Sequence, residues 1–164
     1  MDEKLAVQII TNPALRETSR KKIAAFQQLL ASHPHAVFGD SVELPLKHYF
    51  ADGCYIREIF IPKGSIYVGK IHKHSHPRFL LKGCVEVFTE YDGVVVYTAP
   101  SFMITKAGTK RVGFALEDTI IVTVHVTDKT DLQEIETEII AEDYAAFDAS
   151  RYLTEGNAVC PGSR

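Results

Sequence analysis

The densest chemical feature of the sequence is Lys70-Ile71-His72-Lys73-His74-Ser75-His76-Pro77. Side chains alternate along an extended strand, so positions 70, 72, 74 and 76 share one face until Pro77 breaks the run. Imidazoles two residues apart on one face can reach a single ion. Neutral imidazole is a preferred ligand for zinc, iron, copper and nickel. His125 lies in the apolar run TIIVTVHV and shares its face with Ile121 and Thr123. A histidine there serves equally well as a satisfied core residue or as a ligand. His74 reads as an exposed turn residue, His33 and His35 as loop residues around Pro34, and His48 as a structural residue before the first clear strand.

Such groups must be held by the elements around them. Asn12 and Pro13 read as a helix start, followed by Leu15, Ile23, Phe26, Leu29 and Leu30 on one face. From about Val37 to Thr127 the chain becomes β-branched and aromatic, broken by turn signals. Expected strands are 54–61, 65–72, 78–91, 94–99, 101–105, 110–116 and 119–126, with Asp92-Gly93 as the sharpest hairpin signal. About eight short strands with no helix between them predict an all-β sandwich or barrel. Asp131 and Glu134 have capping-box spacing before Leu132, Ile135, Ile139 and Ile140, so the chain turns helical again. The expected organisation is a helical arm over 1–36, a barrel over 37–128, and an acidic helix and tail over 129–164.

This sequence resembles the cupin superfamily. Gly64, Lys70, His72, His76 and Gly83 fall at the spacing of the first cupin motif, and Pro100, Lys106, Gly108 and Arg111 at that of the second. Here His72 stands at the second histidine position and His76 at the glutamate position. Lys70 and Arg111 replace the remaining histidines. The resemblance covers about residues 54–127, and the phrase AGTKRVGFALEDT is similar to small cupins of tailed bacteriophages. It implies a mainly β, double-stranded β-helix: a cupin (RmlC-like) jelly-roll barrel with flanking N- and C-terminal helices. A pocket would open at one mouth, and His125 on the last strand could point into it.

Two site chemistries follow from the resemblance. In one, His72, His76 and His125 hold a divalent metal (Zn, Fe, Mn or Ni) with open positions for substrate. There an inward Glu58 would offset the charge of a metal beside Lys70 and Arg111. In the other, Lys70 and Arg111 clamp a carboxylate or phosphate without metal, with histidines beside them as general acid or base. The expected work is binding a small anionic molecule. If catalytic, it would be a metal-dependent oxygenase, isomerase or lyase. The rival reading is a non-catalytic assembly or virion-associated module that uses the barrel as scaffold.

Composition narrows the classes. The 164 residues carry 18 Lys+Arg and 21 Asp+Glu, a formal charge of -3, and 46% are hydrophobic. That balance excludes a disordered chain. Residues 112–164 hold 3 basic and 11 acidic side chains, which argues against nucleic acid wrapping the molecule. No apolar run is long enough for a membrane span, and the N-terminus has no signal-peptide pattern. Three cysteines without a CxxC pair suit a reducing, cytoplasmic compartment. The apolar faces of the terminal helices predict a homodimer or larger homo-oligomer.

Overall fold

The computed structural model describes residues 13–38 and 41–156. The expected cap Asn12 and Cys160 lie outside them. The described residues form helices α1 (Pro13–Ala31), α2 (Leu132–Ile139) and α3 (Tyr144–Gly156). Their strands are β1 (Leu46–Ala51), β2 (Cys54–Ile61), β3 (Ile66–Val68), β4 (Ile71–His72), β5 (His76–Lys82), β6 (Cys84–Thr89), β7 (Gly93–Thr98), β8 (Ser101–Thr105), β9 (Arg111–Ala115), β10 (Thr119–Val126) and β11 (Ile140–Ala141). A five-stranded sheet, β1-β2-β10-β5-β8, faces a four-stranded one, β3-β9-β6-β7, while β4 pairs with β11. The fold is mainly β, as expected. No helix among the described residues is long and apolar enough to cross a membrane.

Several expected strands divide where backbone geometry demands it. The run 65–72 splits at Gly69, and the run 78–91 splits at Gly83. Gly83 has φ +88°, and an added Cβ would meet the Asp118 carbonyl oxygen at 2.5 Å, so only glycine fits this turn. Strand β1 escaped the sequence reading because LKHYFA does not alternate apolar with polar, and most of this edge strand is exposed. His48 therefore lies on β1 and not before the first strand. Its Nδ1 is 2.7 Å from Tyr55 Oη.

The inner faces of the sheets meet in a core of Ile61, Leu80, Val85, Val87, Ala115 and Ile121. Each Ile, Leu or Val side chain of this core contributes about 1.5–3 kcal/mol by leaving water. At the other end, Asp131 caps α2 by accepting from the Gln133 and Glu134 amides. That places Ile135 and Ile139 against Tyr55. The chain leaving α2 forms β11, whose Ile140 pairs with His72. The Lys73 amide also donates to the Ile139 carbonyl at 2.8 Å. The acidic C-terminal segment thus fixes the backbone of the histidine strand.

Helix α1 is tied to the barrel by charge as well as apolar packing. Arg20 pairs with Asp148 of α3 at 3.0 Å and lies 3.9 Å from Glu90, whose side chain is 0% exposed. Its guanidinium also sits 4.4 Å from the centre of the Tyr144 ring. Burial pushes the Glu90 carboxyl above its ordinary pKa.

The helices keep Leu15, Leu29 and Leu132 exposed, and the barrel adds a second apolar surface. The outward face of the five-stranded sheet presents Phe102 (71% exposed), Ile104, Leu81 and Tyr49. Phe79 and Phe102 pair across β5 and β8 there, with ring centres 6.1 Å apart.

Candidate metal centre and its cationic cavity

An open cavity of about 800 Å³ lies between the sheets, bordered by α2 and by the segment after α1. Strand alternation decides what faces it. From β2 come Tyr55, Arg57, Ile59 and Ile61; from β10, Ile121 and Thr123; from β5, His76 and Arg78. Arg111 enters from the opposite sheet, and His72 from β4.

His72, His76 and His125 form one cluster, with a ring nitrogen of each within 4.8 Å of the others. Ring centres are 4.1 Å apart for His72–His76, 4.8 Å for His72–His125 and 4.6 Å for His76–His125. The Nδ1 atoms of His72 and His76 are 3.2 Å apart. His76 Nδ1 also lies 3.2 Å from the His74 carbonyl, and His125 Nε2 lies 3.2 Å from Thr123 Oγ1. His76 and His125 are buried and His72 is half-buried.

Burial dominates the protonation of all three. It lowers His72 to about 2, helped by His76, His125, Arg57 and Arg111. It lowers His125 to about 3, helped by His76, Arg57 and His74. His76 falls to about 4, where the hydrogen bond to the His74 carbonyl opposes burial and the arginines. Each imidazole is neutral at pH 7 and keeps a lone pair. Three neutral nitrogen donors around one point match the ligand number of open zinc sites, so the residues fit a divalent ion.

Around this cluster the cavity is cationic. Among the described residues no carboxylate pairs with Arg57, Arg78 or Arg111. Arg78 is buried, with Nη2 3.4 Å from Tyr67 Oη and Nη1 3.9 Å from Met103 Sδ. Arg111 donates from Nη2 to Thr105 Oγ1 at 2.9 Å. Burial, and then Arg78, bring the Arg111 guanidinium down to about 10.

Most of the expected site residues meet here, with two corrections. Glu58 does not face the cavity. It occupies the outward face of β2 and pairs with Lys47 at 2.9 Å, because the register of β2 on β10 turns Arg57 inward instead. Lys70 lines the cavity rim but is exposed, and its ammonium is paired with Glu136 of α2. The run 70–76 is not one continuous strand. It bends after β4, which leaves His74 exposed and lets His125 supply the third imidazole. Arg57 and Arg78 were missed by the sequence reading. Arg78 shares a strand face with His76, and that two-residue spacing was the available signal.

No protein-family model matches the chain, and no curated protein matches it. Solved structures do. Ectoine synthase from P. lautus is 13% identical, with a TM-score of 0.50, covering 61% of this chain and 75% of that one. KdgF from Halomonas sp. is 13% identical, with a TM-score of 0.47, covering 57% and 88%. An RmlC-like cupin from Shewanella frigidimarina NCIMB 400 is 18% identical, with a TM-score of 0.45, covering 60% and 95%. At these identities the likeness concerns the fold alone, and it brings no support for the narrower resemblance to phage proteins. Two facing antiparallel sheets with a three-histidine cluster between them, built on this topology, give the chain the cupin, RmlC-like fold.

Proposed function

We propose that this chain binds a small anionic molecule inside its barrel, beside a divalent metal held by His72, His76 and His125. One observation carries the reading. The neutral imidazoles of His72 and His76 line a cavity, His125 completes their cluster, and the arginines of that cavity have no carboxylate partner among the described residues. A divalent ion there supplies a Lewis acid with open positions for an oxyanion. The arginines orient that anion through planar, bidentate hydrogen bonds and offset its charge.

The metal-free alternative, with histidines as general acid and base, is less well supported. Proton transfer is most efficient when the pKa lies near the working pH. Values of about 2 to 4 leave these imidazoles as weak bases and never as acids at pH 7. The scaffold reading expects a barrel plugged by side chains, whereas the cavity is open.

Elemental analysis of the purified chain tests the proposal. The expected result is close to one zinc, iron, manganese or nickel ion per chain, removed by a chelator and restored on re-addition. A metal-free protein that takes up none of these ions in equilibrium dialysis overturns it. We also read the outward face of the five-stranded sheet as a contact between copies, since an apolar patch of this kind marks an interaction surface. Light scattering should find a dimer that Phe102→Asp converts to monomer. A wild-type monomer at micromolar concentration overturns that part.

A further inference from the structure

The inner face of the five-stranded sheet is layered. In one row Tyr55 stands opposite His125, and His76 opposite Thr105. Two residues along, Thr123 stands between Arg57 and Arg78, and Arg78 faces Met103. Two residues further, Ile121 lies between Ile59 and Leu80, in the apolar core. Successive rows are about 7 Å apart, since a strand rises about 3.3 Å per residue. A row of arginines therefore lies between the histidine row and the greasy floor.

The guanidiniums are not equivalent. The head of Arg111 is bonded to Thr105, the residue opposite His76, so it serves the histidine row. By strand register Arg78 and Arg57 flank Thr123 one row deeper, from where the charge of Arg57 still reaches all three imidazoles. Arg78 is only 4% exposed and has no carboxylate partner among the described residues. A single anionic group beside the metal and Arg111 would leave that deeper charge uncompensated in a low-dielectric setting, which is costly.

We infer that the ligand is a dianion with two separated oxyanion groups: a short dicarboxylate of roughly four to six carbons, whose ends span close to the row spacing. One carboxylate is held by Arg111 beside the three imidazoles, where a metal would bind it. The other is held between Arg57 and Arg78, and the apolar floor of Ile59, Ile61 and Ile121 limits its reach. This inference rests on the anion-binding reading above and names the substrate class for it.

The test is calorimetric titration of the zinc-loaded full chain with succinate, glutarate and adipate, each against the monocarboxylate of equal carbon number. The expected result is at least tenfold tighter binding for one of the dicarboxylates than for its monoacid. That advantage should disappear in Arg57→Met and in Arg78→Met, each of which lowers diacid affinity at least tenfold more than monoacid affinity. Arg57 is only half-buried, so Arg57→Met is a second variant that carries the test independently of the buried Arg78. Equal affinities for diacid and monoacid in the wild type overturn the dianion inference and leave the anion site standing. Retention of the diacid advantage in Arg57→Met overturns the assigned position of the second carboxylate. Failure of every acid to bind the metal-loaded chain overturns the anion-binding reading itself.

Discussion

His76→Ala is expected to weaken divalent-metal binding by more than about 100-fold, the upper range for losing a mere outer-shell partner of a metal site. His76 is 3% exposed and lies within ring-nitrogen reach of both other imidazoles. Its removal leaves two donors, His72 and His125, too few to outcompete water for most divalent ions. Equilibrium dialysis against zinc or manganese measures the loss. His74→Ala is the control, because that exposed imidazole lies outside the cluster and should leave affinity unchanged. If the two variants bound metal equally well, the three-histidine centre would be wrong.

The same site sets a pH dependence of defined sign. Metal ligation needs neutral imidazole, and burial keeps His76 neutral down to about 4 and His125 down to about 3. Metal should therefore stay bound from pH 8 to about pH 5 and leave below about pH 4, instead of titrating off near 6.5. The metal-free protein shows the stability side of this linkage. The unfolded chain binds protons at these histidines below about 6.5, while the folded chain refuses them until far lower pH. Unfolding then takes up protons as pH falls through that window, and acid favours it. Through His76 alone, the folded state loses on the order of 3 kcal/mol by pH 4.

How much of this could be read beforehand depended on whether the signal was local. Strands β2 and β10 were legible residue by residue, because Cys54–Ile61 and Thr119–Val126 are β-branched or aromatic runs closed by turn residues. The glycines of the motif were legible too, since Gly64, Gly83 and Gly108 all adopt positive φ. The facing of β2 was not. Its two faces read Tyr-Arg-Ile-Ile and Cys-Ile-Glu-Phe, equally apolar and each with one charge. Only pairing with β10 decides that Arg57 goes in and Glu58 out. Arg78 was hidden by its neighbour. Pro77 reads as a strand breaker, yet the pairing of β10 on β5 reaches only as far as Arg78, so the missing amide costs no ladder bond on that side. The strand therefore continues through the proline and carries His76 and Arg78 on one face. The convergence of His125 with His72 and His76 is likewise long-range, created by the β10 register and the β4–β11 clasp.

Arg78→Met is expected to make the ligand-free protein more stable, by about 1–3 kcal/mol, while abolishing the preference for dianions. A guanidinium that is 4% exposed has given up most of its hydration. In return it has a hydroxyl at 3.4 Å and a thioether at 3.9 Å, with no carboxylate partner among the described residues. It also faces Arg111, whose own guanidinium it helps to destabilise. Methionine fills a similar volume with a flexible apolar chain and removes both the desolvation cost and the repulsion. Urea unfolding at pH 7 in buffer free of di- and polyanions, with an unchanged m-value, reads the gain. Added succinate should then raise the midpoint of the wild type and not that of the variant, because a bound ligand stabilises only the chain that holds it. A variant less stable than wild type in that buffer would mean that Arg78 already has its counter-charge within the fold. The cavity would then owe its arginines to architecture and not to an incoming anion.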